Sequence, residues 1–142
     1  MILLGPDNKI FVGQRRDQPT EIWQMPQGGI AEAEIPDHAM LRELKEEIST
    51  HDVEILAQSE KWYTYDLPPE LAIRLWEGKF RGQKQRWYLL RFLGQDEDIN
   101  INTSKPEFRA WKWVDQQEVI DLVSSFKKEM YRQVLEDLWS FS

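Results

Sequence analysis

The sequence predicts an α/β fold, built as one domain over residues 1–142. Short apolar runs separated by turn residues are typical of strands, and two longer segments carry apolar residues at helical spacing. These segments follow one another in the order strand, helix, strand, helix, which suits helices layered on a sheet. A chain of this length with 41% hydrophobic residues is long enough to bury its own core.

The first predicted element is a hairpin. Apolar residues 2–4 and 10–12 flank a Gly-Pro-Asp-Asn sequence at residues 5–8. Glycine and proline between two apolar runs favour a turn, so the two runs are expected to pair as strands.

The second predicted element is a helix, entered through Pro36 after a glycine turn. Gly28 and Gly29 permit either a positive φ or a close approach of the backbone to a ligand. Considered without their neighbours, the two glycines would indicate only a turn. Proline is favoured in the first turn of a helix, where its missing N–H is not needed. The apolar side of this helix is formed by Leu41, Leu44 and Ile48.

Three carboxylates crowd together on the same helix. Glu43, Glu46 and Glu47 stand at positions i, i+3 and i+4, so their side chains share one face. Like charges at this spacing repel and weaken the helix unless something positive binds there. Because oxygen ligands at this density suit a hard divalent cation, the pattern favours a Mg²⁺ or Mn²⁺ site.

The second half of the chain predicts three strands and a helix. Residues 53–65 and 111–114 have strand-like composition, and residues 85–93 read as a strand covered on one or both faces. Residues 127–138 carry an apolar stripe at helical spacing that continues from Phe126. The stripe predicts a helix packed on the sheet.

Composition excludes several kinds of site. The chain has no cysteine, so disulfides, thiolate nucleophiles and zinc–thiolate sites are impossible. Its only histidines, His38 and His51, are too few for a multi-histidine metal site and argue against a Ser-His-Asp triad. The net charge of −7 argues against sequence-independent binding to a nucleic-acid backbone, so duplex DNA is not an expected partner.

The sequence also lacks an apolar run of membrane-spanning length and a basic-then-apolar signal segment at its beginning. We therefore expect no membrane association and a cytoplasmic location.

The acidic helix resembles a known motif. Glu34 follows Gly28 after five intervening residues, and Arg-Glu-Leu-x-Glu-Glu follows at residues 42–47 after seven more. This pattern is similar to the box of the Nudix hydrolases. The family cleaves nucleoside diphosphates linked to another group. The resemblance implies a Nudix-type α/β/α sandwich with a mixed β-sheet, and several further residues before the first strand, so that Met1 is expected to be an unusual or shortened start.

The resemblance also assigns roles within the box. It implies that Glu43, Glu46 and Glu47 bind the metal ions, that Arg42 orients a carboxylate, and that Glu34 is structural. The chain departs from the family at Ser49 and Thr50, where Gly and an aliphatic residue are usual. A family glycine at the end of a helix predicts a positive φ at Ser49.

The general base is left open between a box glutamate and an acid on a distant loop. Glu107 in the segment Lys-Pro-Glu-Phe is the loop candidate for a base or a fourth metal ligand. Taken without the resemblance, Glu107 is equally well an exposed loop acid.

Similarity extends to the bacterial RNA pyrophosphohydrolases and the related dinucleoside polyphosphate hydrolases. The former remove pyrophosphate from the 5′ end of triphosphorylated transcripts, which starts transcript decay. The matching segments are residues 23–29, 63–69, 81–87, 106–108 and 125–128. The implied substrate is 5′-triphosphorylated RNA or a dinucleoside polyphosphate, and a binding module without hydrolysis remains a weaker alternative.

The flanking segments suggest a substrate-binding surface. Lys84 and Arg86 are basic enough to neutralise a polyphosphate, although alternating Gln and basic residues also fit a solvated strand face. Arg16 and Phe126 match family positions that sandwich a base between a guanidinium and a ring. On its own pattern, Phe126 is the first core residue of the last helix. Together with Gly28 and Gly29 in the turn, these residues are the predicted substrate contacts.

Overall fold

Strands and helices alternate along the chain as the sequence predicts. The computed structural model describes residues 1–17, 21–28, 34–66 and 82–142. Its strands are β1 (Ile2–Leu4), β2 (Ile10–Arg15), β3 (Trp23–Gln24), β4 (Val53–Gln58), β5 (Tyr63–Asp66), β6 (Gly82–Gln85), β7 (Tyr88–Phe92) and β8 (Phe108–Val114). Its helices are α1 (Pro36–Ile48), α2 (Gln116–Leu122) and α3 (Lys128–Leu138).

The main sheet is mixed. Six of the described strands form it, and β5 and β6 pair separately as an antiparallel two-stranded sheet. β1 runs parallel to β7 and antiparallel to β2, while β3 and β8 also pair antiparallel with β2. The N-terminal hairpin predicted from residues 2–12 is therefore confirmed, with a short 3₁₀ turn at Pro6–Asn8 between its strands.

The two faces of the sheet bury two separate apolar clusters. In β1, Ile2 and Leu4 join the cluster that contains residues of α2 and α3, whereas Leu3 joins the cluster that contains residues of α1. This alternation follows from the two-residue period of a strand. Helices thus cover both faces, and the predicted α/β/α sandwich is confirmed.

Two strands predicted as continuous are each broken. The predicted strand 53–65 divides into β4 and β5. The predicted strand 85–93 contains the last residue of β6, a break at residues 86–87, and then β7. At the break the Ser59 N–H donates to Trp87 O at 2.8 Å, and the Trp87 N–H donates to Ser59 Oγ at 2.9 Å. The Ser59 hydroxyl thus takes the place of a backbone acceptor at the break, and on the far side of it the two segments pair as β5 and β6.

The end of α1 has the conformation that the resemblance implied. Ser49 has φ 71° and ψ 0°, and its N–H donates to Lys45 O at 2.9 Å. Its hydroxyl donates to Asn100 O at 2.7 Å. Serine therefore occupies a left-handed position usually taken by glycine, and a side-chain hydrogen bond offsets part of the cost.

The C-terminal elements differ slightly from the prediction. The last helix begins at Lys128 rather than at residue 127, β8 begins three residues earlier than predicted, and the short helix α2 was not predicted. None of the helices in the described ranges is both long enough and apolar enough to cross a membrane.

Candidate active site

Arg42 binds Glu34, which precedes α1, and two glutamates of α1 through one guanidinium. Its Nε and Nη2 donate to the two carboxylate oxygens of Glu34 at 2.7 and 2.9 Å. Its Nη1 donates to Glu43 Oε1 at 2.9 Å and to Glu46 Oε1 at 3.3 Å. The hydrogen bond with Glu34 is the largest cause of the raised pKa of Arg42. The guanidinium therefore relieves the carboxylate repulsion that the sequence predicts.

Gly28 lies directly against this group. A Cβ placed on Gly28 would overlap the side chain of Glu43. The glycine therefore permits a close approach to the side chain of Glu43, while the predicted approach of the backbone to a ligand stays a prediction. Gly29, predicted as a second substrate contact, lies outside the described residues.

Glu47 is buried and only 4% exposed, whereas the side chain of Glu46 is 59% exposed. Within the described part of the chain, Glu47 Oε2 has no hydrogen-bond partner. The pKa of Glu47 is raised to about 8, mainly by burial and to a smaller extent by the charges of Glu107 and Glu43, while the Met1 α-ammonium and Arg15 act in the opposite direction. A charged Glu47 is therefore costly until a cation reaches it.

Glu107 reaches the same region from the loop before β8. Its backbone carbonyl accepts a hydrogen bond from the Arg16 N–H at 3.0 Å. Its carboxylate Oε2 lies 3.6 Å from Nη2 of Arg15. The charge of Glu107 acts on Glu47, while its role as a base or metal ligand stays a prediction.

The structure does not gather the four predicted metal ligands into one cluster. Among the described residues, no group of three or more acidic or histidine side chains lies close enough to hold a metal ion. Arg42 binds both Glu43 and Glu46 instead. The donor chemistry nevertheless fits a hard cation, since the buried Oε2 of Glu47 lacks a partner and has carboxylate neighbours.

Lys127 is a buried cation that the sequence did not single out. It is 5% exposed, and its Nζ lies 3.4 Å from Gln27 Oε1 and 3.5 Å from Gln24 Oε1. The ammonium also stands 5.2 Å from the ring centroid of Tyr65. The pKa of Lys127 is lowered to about 8, mainly by burial and to a smaller extent by the charge of Arg15. The only signal in the sequence was its place in the matching segment 125–128.

Phe126 lies beside this lysine at the edge of the core. Its ring centroid is 5.7 Å from that of Tyr65, and the ring is half-buried against the apolar cluster of α3. Arg16 is exposed. The predicted packing of Phe126 on the core is confirmed, whereas the base sandwich with Arg16 stays a prediction.

The two basic residues of the β6 region differ in what the structure shows. Arg86 Nη2 donates to Ser59 O at 3.1 Å, and its guanidinium lies 5.7 Å from the ring centroid of Trp62. Arg86 thus helps to hold the break between β6 and β7. The backbone of Lys84 pairs with Thr64, and its side chain lies outside what is described.

Comparisons with known proteins agree with the fold and the box. The NUDIX domain family matches residues 1–134. An RNA pyrophosphohydrolase of Rickettsia canadensis is 50% identical over 137 residues, which cover 96% of this chain and 85% of the relative.

Two solved structures share the fold at low identity. The E. coli dihydroneopterin triphosphate pyrophosphohydrolase superposes with a TM-score of 0.69 at 21% identity, covering 96% of this chain and 92% of the other. An Ap4A hydrolase of C. elegans superposes with a TM-score of 0.66 at 16% identity, covering 98% and 96%. The family match spans almost the whole chain and includes the glutamate helix, and the chain therefore belongs to the NUDIX family.

Proposed function

We propose that this protein hydrolyses phosphoanhydride bonds and removes pyrophosphate from the 5′-triphosphate end of RNA. The observation that carries the proposal is the buried Glu47, whose unpartnered oxygen lies in an acidic region shared with Glu43 and Glu107. The similarity to an RNA pyrophosphohydrolase at 50% identity supports the substrate. The proposed role is to start transcript decay in the cytoplasm.

The acidic side chains would hold Mg²⁺ or Mn²⁺. Such an ion supplies polarisation of phosphoryl oxygens and a more acidic water. Glu43, Glu46, Glu47 and Glu107 are the proposed ligands, and either a box glutamate or Glu107 takes the proton of the attacking water. For this, Glu46 has to leave Arg42, which the 3.3 Å bond and the exposure of Glu46 permit.

Arg42 and Glu34 are proposed to orient the helix carboxylates. The guanidinium fork on Glu34 fixes Arg42 through two hydrogen bonds, and Nη1 is then directed to Glu43. Because the fork is planar, it determines where the Glu43 carboxylate stands relative to the Gly28 backbone.

The substrate is proposed to bind between the acidic centre and the start of α3. Lys127 is a buried cation whose close acceptors are two neutral amides, so a phosphate or a base edge would gain a charge-assisted hydrogen bond there. Phe126 and Arg16 would stack on the base, with Lys84 and Arg86 near the phosphates. With a net charge of −7, the protein would hold the end of a transcript rather than a long stretch of backbone.

A dinucleoside polyphosphate is the second candidate substrate. The fold similarity to an Ap4A hydrolase favours it only at the level of architecture. Trp62 supplies the specific observation, because its indole is half exposed beside Arg86 and offers a surface for a second nucleoside.

A side-by-side assay tests the proposal. Purified protein is given triphosphorylated RNA or diadenosine tetraphosphate, with Mg²⁺ or with a chelator. We expect Mg²⁺-dependent release of pyrophosphate from RNA at the higher kcat/KM. Faster cleavage of diadenosine tetraphosphate would select the second candidate. Tight RNA binding with no product from either substrate would indicate a binding module.

A further inference from the structure

Arg15 lies at the end of β2 between the acidic centre and the start of α3. Its Nη2 is 3.6 Å from Glu107 Oε2, and its charge also acts on Glu47 and Lys127. The predicted base contact is the next residue, Arg16, which points to solvent. Of the two neighbouring arginines, the structure therefore brings Arg15 to the acidic residues.

The backbone around Arg15 and Glu107 is fixed from both strands. The β2–β8 register shifts between Gln14 and Arg15. Gln14 pairs with Ala110 and Arg15 pairs with Phe108, so Arg109 is an extra residue on β8. The Arg109 guanidinium donates to Arg15 O at 2.7 Å. Such a bulge redirects side chains at the end of a ladder, and here it brings Arg15 to the loop of Glu107.

Asp17 orients the guanidinium of Arg15. Arg15 Nε donates to Asp17 Oδ1 at 2.8 Å, and Nη2 donates to Asp17 Oδ2 at 2.9 Å. The Arg15 side chain is 22% exposed, against 65% for Asp17. A planar fork held on one side in this way presents the same Nη2 to Glu107 in a fixed direction.

We propose that Arg15 is a positioning residue that keeps the carboxylate of Glu107 directed toward the acidic centre rather than toward solvent. Without a cation in this place, the charge of Glu107 would oppose the ionisation of Glu47, and an exposed loop acid would turn to solvent. The effect on rate rests on the proposed function, whereas the effect on the position of the loop does not.

A double-mutant cycle tests whether Arg15 acts through Glu107. We expect Arg15→Gln to lower kcat roughly tenfold or more, with a smaller change in KM, since a misplaced catalytic group costs rate. Arg15→Lys should recover part of kcat because it restores the charge without the fork. In a Glu107→Gln background, Arg15→Gln should cost little more. Equal losses in both backgrounds would overturn the proposal.

Hydrogen exchange gives a readout that does not depend on activity. The Arg16 N–H, bonded to Glu107 O, should exchange faster in Arg15→Gln, whereas Arg132→Gln, which removes a surface arginine paired with Glu129, should leave exchange and rate unchanged. Unchanged exchange at Arg16 would overturn the proposal even if the protein is active. If the wild type releases no pyrophosphate, the proposed function fails while exchange still decides the role of Arg15.

Discussion

Two buried ionisable side chains, Glu47 on α1 and Lys127 before α3, carry opposite charges but share one physical problem. Burial moves the pKa of each to about 8, upward for the acid and downward for the base. Lys127 has amide acceptors from Gln24 and Gln27, whereas an oxygen of Glu47 has no partner among the described residues. The ammonium of Lys127 is therefore hydrogen-bonded within the protein, whereas a charged Glu47 needs a bound cation to offset its burial.

The largest expected effect comes from substituting the acidic residues of α1. Glu47→Gln should lower kcat roughly a hundredfold or more, since it removes a proposed metal ligand. Metal-free stability should hold or rise, because glutamine needs neither the proton uptake nor the charge that burial imposes on the Glu47 carboxyl. The Tm gain with added Mg²⁺ should shrink. Glu46→Gln should have a similar effect on rate. Both rates are measured with triphosphorylated RNA.

Glu54→Gln is the matched control for these variants, because Glu54 is an exposed glutamate on β4. It should keep the wild-type rate and the wild-type response to Mg²⁺. Near-normal turnover in both Glu46→Gln and Glu47→Gln would rule out the proposed metal site.

Phe126→Ala tests the surroundings of the buried Lys127. Loss of base stacking, worth about 1–3 kcal/mol, should lower kcat/KM for a triphosphorylated oligonucleotide roughly ten- to a hundredfold. Hydrolysis of a short polyphosphate without that base should change little. Because the ring also packs on Tyr65, the Tm should fall somewhat. Phe141→Ala, at an exposed ring, is the control. Equal losses on both substrates would show that Phe126 acts only through the core.

Lys127→Met tests whether the buried lysine contributes to substrate use or only to the fold. The variant removes a buried charge, so the Tm should stay the same or rise, while kcat/KM for the oligonucleotide should fall roughly tenfold through one lost charge-assisted hydrogen bond. Lys128→Met is a close control, since that ammonium donates to Asp121 O at the surface. A wild-type rate in Lys127→Met would show that the buried lysine serves only the fold.

The pH dependence of stability should differ in sign between the two sites. Between pH 4.5 and about 8 folded Glu47 holds a proton that the unfolded chain releases, so its contribution to stability is lost as pH rises. Lys127 gives the opposite slope between about 8 and 10.5, where the unfolded chain holds more protons and stability rises with pH.

Urea midpoints of the metal-free protein measure these slopes as differences from the variants. The stability gain of Glu47→Gln over wild type should grow from pH 5 to 8, and that of Lys127→Met should shrink from pH 8 to 10. Differences are needed because the buried α-ammonium of Met1, with its pKa lowered to about 5, titrates in the same range as Glu47. Parallel curves for variant and wild type would contradict the assigned pKa shifts.

Short-range features were predictable from the sequence, and long-range contacts were not. The spacing of Glu43, Glu46 and Glu47 places them together on α1, because helix geometry is local. The burial of Lys127 depends on Gln24, which lies 103 positions earlier in the chain. The strand break likewise depends on Ser59 meeting Trp87 across 28 positions. Apolar periodicity contains neither contact, and it therefore predicted two unbroken strands and no buried lysine.

Ser49 gives the smallest expected effect, outside both charged sites. Its φ of 71° costs a residue with a Cβ about 1 kcal/mol, and its hydroxyl bond to Asn100 O returns about 1 kcal/mol. Ser49→Gly removes both terms, so the unfolding free energy should change by less than about 0.5 kcal/mol. Ser49→Ala keeps the strain and loses the bond, so it should be about 1 kcal/mol less stable than either. Urea unfolding measures all three proteins, and kcat should be the same in each. If the Gly variant proves as unstable as the Ala variant, the hydroxyl bond outweighs the backbone strain.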